Sequence, residues 1–165
     1  MPGTNPWRDN SSGLSWLKRK PRDDPVRVRD FLRHVVEATR QRLPPEWQAF
    51  QHRLRFTLAQ LYYADPRIHF EVWVQGKNSR VEVGLHLEAD KATNDRLLSH
   101  LASRFIEIQA ELGPQMELEQ WTRTWGRVHQ TVPYTRLDEE LVQAVADRLA
   151  PMILLLAPML EEIEG

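Results

Sequence analysis

Apolar and polar residues alternate most regularly between Ile68 and Glu88. The runs IHFEVWVQ and RVEVGLHL each place an apolar residue at every second position, and residues 76–79 separate them. Successive side chains of a strand point to opposite sides of a sheet, so the pattern predicts a β-hairpin with one apolar and one polar face. A slip of one residue would turn the apolar side chains outward, which fixes the register. The expected cross-strand pairs are Gln75–Arg80, Trp73–Glu82, Glu71–Gly84, His69–His86 and Arg67–Glu88.

Apolar residues at helical spacing predict three helices, over residues 25–42, 90–112 and 136–163. Shorter alternating stretches predict strands near residues 116–120 and 125–132. Residues 46–63 fit both a helical face and a strand, and we favour a short helix from Pro45 followed by a strand near 53–63. The last helix contains two internal prolines, which predict kinks near Pro151 and Pro158.

The C-terminal helix is apolar on nearly every side between Met152 and Leu160. A helix at the surface needs only one apolar stripe, so this segment must be covered on more than one side. It is either a central core helix or a helix that completes its burial in a homodimer.

Together these elements predict an α+β fold, with an antiparallel sheet of four to five strands, helices packed on one face and a long Pro-kinked C-terminal helix. Residues 1–24 mix Pro, Gly, Ser and charged residues and are expected to form a flexible N-terminal arm, while residues 25–165 form a single domain.

The composition of the chain excludes several kinds of chemical site and bears on its location in the cell. The chain of 165 residues has no cysteine, which excludes disulfides, thiolate metal sites and a cysteine nucleophile. Its formal net charge of -1 provides no basic field for a nucleic-acid backbone beyond the short cluster Lys18–Arg22. The N-terminus shows no apolar signal segment, and the longest apolar run, APMILLLAPML, falls short of the roughly 20 residues that span a bilayer. We therefore expect a cytoplasmic protein without a membrane segment.

The polar face of the hairpin carries the main candidate chemistry. His69 and His86 face each other across the two strands, and Glu71 or Glu88 could add a carboxylate to a site for zinc, manganese or iron. The same register allows charge-matched contacts, Arg67 with Glu88 and Arg80 beside Glu82, as on an ordinary solvated sheet. An interior glycine at position 84 is typical of a bulge or of another backbone that approaches closely.

Other motifs are weaker. The segment Glu88-Ala89-Asp90-Lys91 is similar to the Glu-x-Lys or Asp-x-Lys motif of magnesium-dependent nucleases, but Asp90 and Lys91 are adjacent rather than separated by one residue. Gly-x-Ser-x-Gly and Gly-rich phosphate loops do not occur in the sequence. Tryptophans interleaved with arginines could stack on bases or contact a protein partner. The candidate partner surface consists of Trp73, Arg80, Glu82, Trp121, Arg123, Trp125 and Arg127.

The order of motifs over residues 81–128 also resembles a known pattern. A Glu-bearing strand precedes Asn94 and a helix that ends at Leu112-Gly113, and Leu118-Glu119-x-Trp121 and Arg127-Val128 follow. Over residues 68–163 the chain resembles an uncharacterised bacterial domain family, found alone or at the C-terminal end of restriction-endonuclease-like proteins. The resemblance implies an α+β accessory module of DNA-modification or defence systems, and it implies no catalytic residue.

The leading hypothesis is a non-catalytic interaction or accessory module without a required cofactor. The first alternative is a metal-dependent hydrolase or nuclease-like enzyme that uses the hairpin's polar face. The second is a nucleic-acid-binding module. Divalent-ion dependence would favour the first alternative, and binding that weakens steeply with salt would favour the second.

Overall fold

The structure, a computed structural model, describes residues 25–164. These residues form one antiparallel sheet of six strands in the order β1-β2-β3-β4-β6-β5, one or two strands more than expected. Four helices accompany the sheet, so the predicted α+β class is confirmed. The strands are β1 Gln51–Arg55, β2 Leu58–Tyr62, β3 Ile68–Gln75, β4 Arg80–Leu87, β5 Glu117–Gln120 and β6 Gly126–Pro133. The helices are α1 Pro25–Arg42, α2 Lys91–Ser103, α3 Phe105–Leu112 and α4 Glu139–Glu164. The arm predicted for residues 1–24 lies outside the described residues.

The central hairpin is confirmed with its register. Strands β3 and β4 pair Gln75 with Arg80 and continue in step to Ile68 and Leu87. The turn contains a short 3-10 segment, and Ser79 closes it in the left-handed region at φ 49°. Apolar side chains of these strands, among them Val72, Val83 and Leu85, are fully buried on the face that packs against the helices.

The prediction for residues 46–63 was only partly right. A 3-10 turn at Pro45–Trp47 replaces the short helix, and the single expected strand is a hairpin of β1 and β2. The turn at Phe56 and Thr57 contains neither glycine nor asparagine, which usually mark such turns. Phe56 takes a left-handed backbone conformation at φ 48°, and the residue is 97% exposed. Because Leu54, Phe56 and Leu58 alternate without interruption, the pattern concealed the reversal.

The predicted helix over residues 90–112 is also divided. Asp90 caps α2 by accepting a hydrogen bond from Thr93 N at 3.0 Å. The helix stops at Arg104, whose backbone leaves the helical region at φ -111° and ψ 15°. The guanidinium of Arg104 binds Glu162 of α4 at 2.6 Å, which ties the break to the C-terminal helix. Apolar periodicity continues across the break, so the sequence pattern does not reveal it.

Helix α4 is the core helix of the domain. It begins at Glu139, after Asp138, which accepts a hydrogen bond from Leu141 N at 2.9 Å. Both Pro151 and Pro158 lie inside it. By length and composition this helix could also cross a membrane, but 56% of its apolar window is buried within the domain, as in a core helix. Its buried residues include Leu149, Met152, Ile153, Leu156 and Met159. Burial within a single chain supports the core-helix alternative, and the homodimer stays a prediction.

Candidate metal centre

The sheet face opposite the helices is polar, yet its centre is buried. His69 and His86 are each 1% exposed, Glu71 is 4% exposed and Glu82 1%. Buried polar and charged groups are costly unless hydrogen bonds or ion pairs satisfy them. A plain solvated sheet, the alternative that the sequence left open, does not fit this burial.

The charge-matched contacts expected for that solvated sheet are also wrong. The Arg67 guanidinium binds Asp65 at 2.8 Å rather than Glu88. Arg80 donates from Nε to Gln75 at 2.6 Å and does not pair with Glu82. The carboxylates on this face are instead contacted by histidines of their own strands and by Arg127 of β6.

The register of the whole sheet explains how these groups meet. Gln60 of β2 stands beside Glu71 of β3, and His129 of β6 stands beside Gly84 of β4. Arg127 of β6 lies between His86 of β4 and Glu119 of β5. A row of polar side chains therefore crosses five neighbouring strands.

Gly84 lets two of these strands come close together. A Cβ built at this position would lie 2.6 Å from His129 Cβ and 2.8 Å from the carbonyl oxygen of Val128. Both distances are too short for real atoms, so only glycine fits here. The close backbone approach expected from a glycine inside a strand is confirmed, and its partner is β6.

The four residues predicted as metal ligands come together in the structure. His69, Glu71, His86 and Glu88 each offer one donor atom, and these four atoms lie within 4.8 Å of one another. Zinc binds imidazole nitrogen and carboxylate oxygen at about 2.0–2.2 Å in a tetrahedral shell, so its ligand atoms lie about 3.4 Å apart. Small side-chain movements would therefore allow one ion to contact all four.

His69 is oriented as metal-binding histidines usually are. Its Nδ1 lies 2.9 Å from the carbonyl oxygen of Pro66, which can only accept, so Nδ1 carries the proton. In the neutral ring Nε2 then points a lone pair toward the Glu71 carboxylate, 3.1 Å away. Two acceptors at this distance repel unless a proton or a metal ion lies between them or a donor contacts both. The amide nitrogen of Gln60 is such a donor, at 3.3 Å from His69 Nε2 and 3.4 Å from Glu71. An outer carbonyl that fixes the tautomer is typical of histidine ligands.

Both nitrogens of the second histidine face carboxylates. His86 Nε2 lies 2.8 Å from Glu82, and Nδ1 lies 3.3 Å from Glu88. Burial disfavours the charged ring, but the hydrogen bonds to these carboxylates and the nearby charge of Glu71 outweigh it and raise the pKa of His86 to about 9. Without a metal His86 is thus an imidazolium. If a metal replaced the proton on Nδ1, Glu82 would remain as the outer acceptor of Nε2–H.

The buried face has more negative than positive charge. Burial opposes ionisation of Glu82, but its hydrogen bond with His86 and the charges of His86, Arg127 and His129 hold its pKa below the usual value. Arg127 lies 3.0 Å from Glu82 and is shared with Glu119 at 2.6 Å. Four carboxylates, Glu71, Glu82, Glu88 and Glu119, thus face two central cations, Arg127 and protonated His86, while Arg53 at the rim donates to Gln60. A divalent cation that replaced the proton on His86 would reduce this excess from two negative charges to one.

Sequence reasoning missed several members of the network. Glu82 was expected on a partner surface, whereas it is 1% exposed and forms the link between His86 and Arg127. Gln60, whose amide nitrogen lies 3.3 Å from His69 Nε2, and His129 were not singled out at all. These two residues belong to the network because β2 pairs with β3 and β6 pairs with β4. No local motif in the sequence indicates either pairing.

The remaining residues of the predicted partner surface divide into two groups. Trp73, Arg80, Trp121 and Arg127 line one cleft beside the polar network. Trp125 and Arg123 are exposed and do not line it. Trp121 links cleft and network, because its ring lies edge-on to His86 with centroids 5.7 Å apart.

Comparisons of this chain with protein-family models, curated proteins and solved structures found no match in any of the three. The resemblance to a domain of restriction-endonuclease-like proteins therefore stays an expectation, and no residue role proposed below is drawn from it.

Proposed function

We propose that this protein is a non-catalytic accessory module that binds one divalent transition-metal ion through His69, Glu71, His86 and Glu88. The observation that carries the proposal is the convergence of two nitrogen and two oxygen donors within 4.8 Å on a buried face. This mixed set suits zinc, and it also suits manganese or iron. The ion would offset part of the negative charge of the carboxylates on this face.

The number of ligands favours a binding role over catalysis. Structural zinc sites are filled by four protein ligands, whereas catalytic sites keep a position open for water or substrate. Here four side chains can fill a tetrahedral shell, and the first three of them are almost fully buried. An ion in this place would stabilise the sheet and leave its outer surface for a partner.

Thermal unfolding with zinc, manganese or a chelator tests the site. An ion at one hundred times its Kd should stabilise the protein by about 2.7 kcal/mol. For a chain of this size that raises the Tm by about 5–11 °C. The change should disappear in His69→Gln and remain in the control His52→Gln, because His52 lies exposed on β1.

A direct measurement of zinc binding distinguishes the loss of the site from poor folding of the variant. Competition with a chromophoric zinc chelator, at a temperature where circular dichroism shows His69→Gln to be folded, should give a stoichiometry of one ion for wild type. The variant should bind at least tenfold more weakly. Equal zinc affinity in wild type and His69→Gln would rule out this ligand set.

A metal-dependent hydrolase is the second candidate, and one observation favours it. The side chain of Glu88 is 19% exposed, so it is the member of the set that reaches solvent. If water took its place, the ion would gain the open position that hydrolysis needs. Turnover of a phosphodiester or ester by zinc-loaded protein, lost in His69→Gln, would favour this candidate over the accessory module.

The proposal keeps a protein partner, homodimerisation and a cytoplasmic location as expectations. Sedimentation of the zinc-loaded and the metal-free protein would test the homodimer. A dimer would show twice the mass of one chain in at least one of the two states, and the mass of one chain in both states would contradict it.

A further inference from the structure

A second candidate site lies beside the polar network, at the end of the sheet where β3 turns into β4. It is a cleft with a volume of ≈ 600 Å³, within the range of sites that hold small organic ligands. The described residues of its lining include two tryptophans, three basic side chains and two neutral amides, together with small and apolar residues. No aspartate or glutamate is among the described residues that line it.

We propose that this cleft binds a nucleotide unit, an aromatic base joined to a phosphate. The shared chemistry is that of a free nucleotide and of a nucleotide within a single strand of nucleic acid. The site needs none of the four proposed metal ligands, so it goes beyond the metal-binding function and can fail or succeed independently of it.

Trp73 supplies the surface on which a base would stack. It is half-buried, and within residues 25–164 no aromatic ring or guanidinium pairs with its ring. Stacking of a base on an exposed tryptophan face is a strong, sequence-tolerant contact in single-stranded nucleic-acid binding.

Trp121 forms a fixed part of the cleft lining. The Arg127 guanidinium lies over its ring at 4.8 Å from the centroid, and Trp125 lies 5.9 Å away at a tilt of 42°. These contacts hold Trp121 in place before a ligand arrives. A rigid aromatic side chain of this kind adds contact area at little cost in conformational entropy.

Two cations at the turn are available for the phosphate. Arg80 is exposed, its Nε donates to the neutral side chain of Gln75, and no carboxylate within residues 25–164 forms an ion pair with it. Lys77 is exposed and forms no ion pair with any described residue. Arg127, by contrast, is already neutralised by Glu82 and Glu119. The phosphate should therefore bind at Arg80 and Lys77, with the base on Trp73.

Isothermal titration calorimetry on the full chain tests the proposal. The probes are adenosine 5′-monophosphate, adenosine, inorganic phosphate and a short single-stranded oligonucleotide. All titrations contain a chelator, so that their result does not depend on whether the proposed metal site exists. Adenosine and inorganic phosphate should each bind at least tenfold more weakly than the nucleotide, because each lacks one of the two contacts.

The variants Trp73→Leu and Arg80→Gln should each weaken nucleotide binding at least tenfold. Arg80 is exposed, so its variant should fold even if Trp73→Leu does not. Matched controls are Phe56→Leu, which removes an exposed ring, and Arg123→Gln, which removes an exposed charge outside the cleft. Both should bind as wild type does.

The oligonucleotide identifies the source of the ligand. Binding at least tenfold tighter than that of the mononucleotide, and still dependent on Trp73, indicates single-stranded nucleic acid, whereas equal binding indicates a free nucleotide. The proposal is overturned if neither the nucleotide nor the oligonucleotide binds. It is also overturned if inorganic phosphate binds as tightly as the nucleotide, or if Arg80→Gln binds the nucleotide as tightly as wild type does.

Discussion

Replacing Gly84 by alanine should destabilise the protein, because the added methyl group points at the backbone of a neighbouring strand. The new Cβ would lie 2.6 Å from His129 Cβ, and ordinary contact begins at 3.4 Å, so strands β4 and β6 would have to separate by about 0.8 Å at this point. A typical backbone hydrogen bond of about 2.9 Å stretched by that amount is no longer a hydrogen bond.

The magnitude follows from this geometry. One or two ladder hydrogen bonds at about 1 kcal/mol each would be lost or weakened. Overpacking in well-packed regions typically costs about 1–3 kcal/mol. The gain from replacing a strand glycine by alanine, about 0.5–1 kcal/mol, offsets part of this cost. We expect a net loss of about 1–4.5 kcal/mol and a Tm lower by about 2–18 °C.

Urea unfolding followed by circular dichroism, in chelator so that no ion masks the effect, measures the free energy of unfolding. The matched control is Gly126→Ala. Its Cβ would lie 3.0 Å from Leu98 Cδ2, the movable end of a flexible side chain, so its free energy of unfolding should change by less than about 0.5 kcal/mol. If the two variants were equally stable, the proposed close packing of β4 on β6 would be wrong.

Three further predictions concern single side chains elsewhere in the domain. Asn94→Ala should cost about 1–3 kcal/mol in urea unfolding, because the buried amide bonds both Ala89 N and Ala89 O at 2.9 Å and would leave them unsatisfied. Leu156→Ala should cost about 2–5 kcal/mol, since this side chain is 0% exposed, while Leu154→Ala, at 39% exposed, should cost far less. Burial raises the pKa of Tyr63 from 10.0 to about 12, against the opposing charge of Arg40. The unfolded chain therefore releases this proton at a lower pH than the folded protein does, and the free energy of unfolding falls as the pH rises from 10 to about 12. Tyr63→Phe should remove this part of the fall, and it should also remove the phenolate absorbance that appears near pH 12 in the wild type.

The alternation in residues 68–88 was enough to predict the hairpin, its register and the four candidate ligands on one face. The physical reason is local: the period of two assigns each side chain to a face, and the four-residue turn sets which residues stand opposite each other. Helical periodicity likewise predicted α1 and most of α4. It could not locate the break at Arg104, where the backbone changes but the apolar spacing does not.

Tertiary structure decided whether the polar face is wet or buried. His69 and His86 carry the same local pattern as residues of a solvated sheet, and no sequence window around them contains Arg127 or His129. In the structure, β2, β5 and β6 place further polar groups beside the hairpin, and Gly84 lets β6 approach closely. Strand pairing across long sequence separations thus assembles the charged network, because groups far apart in the sequence become neighbours only when their strands pair.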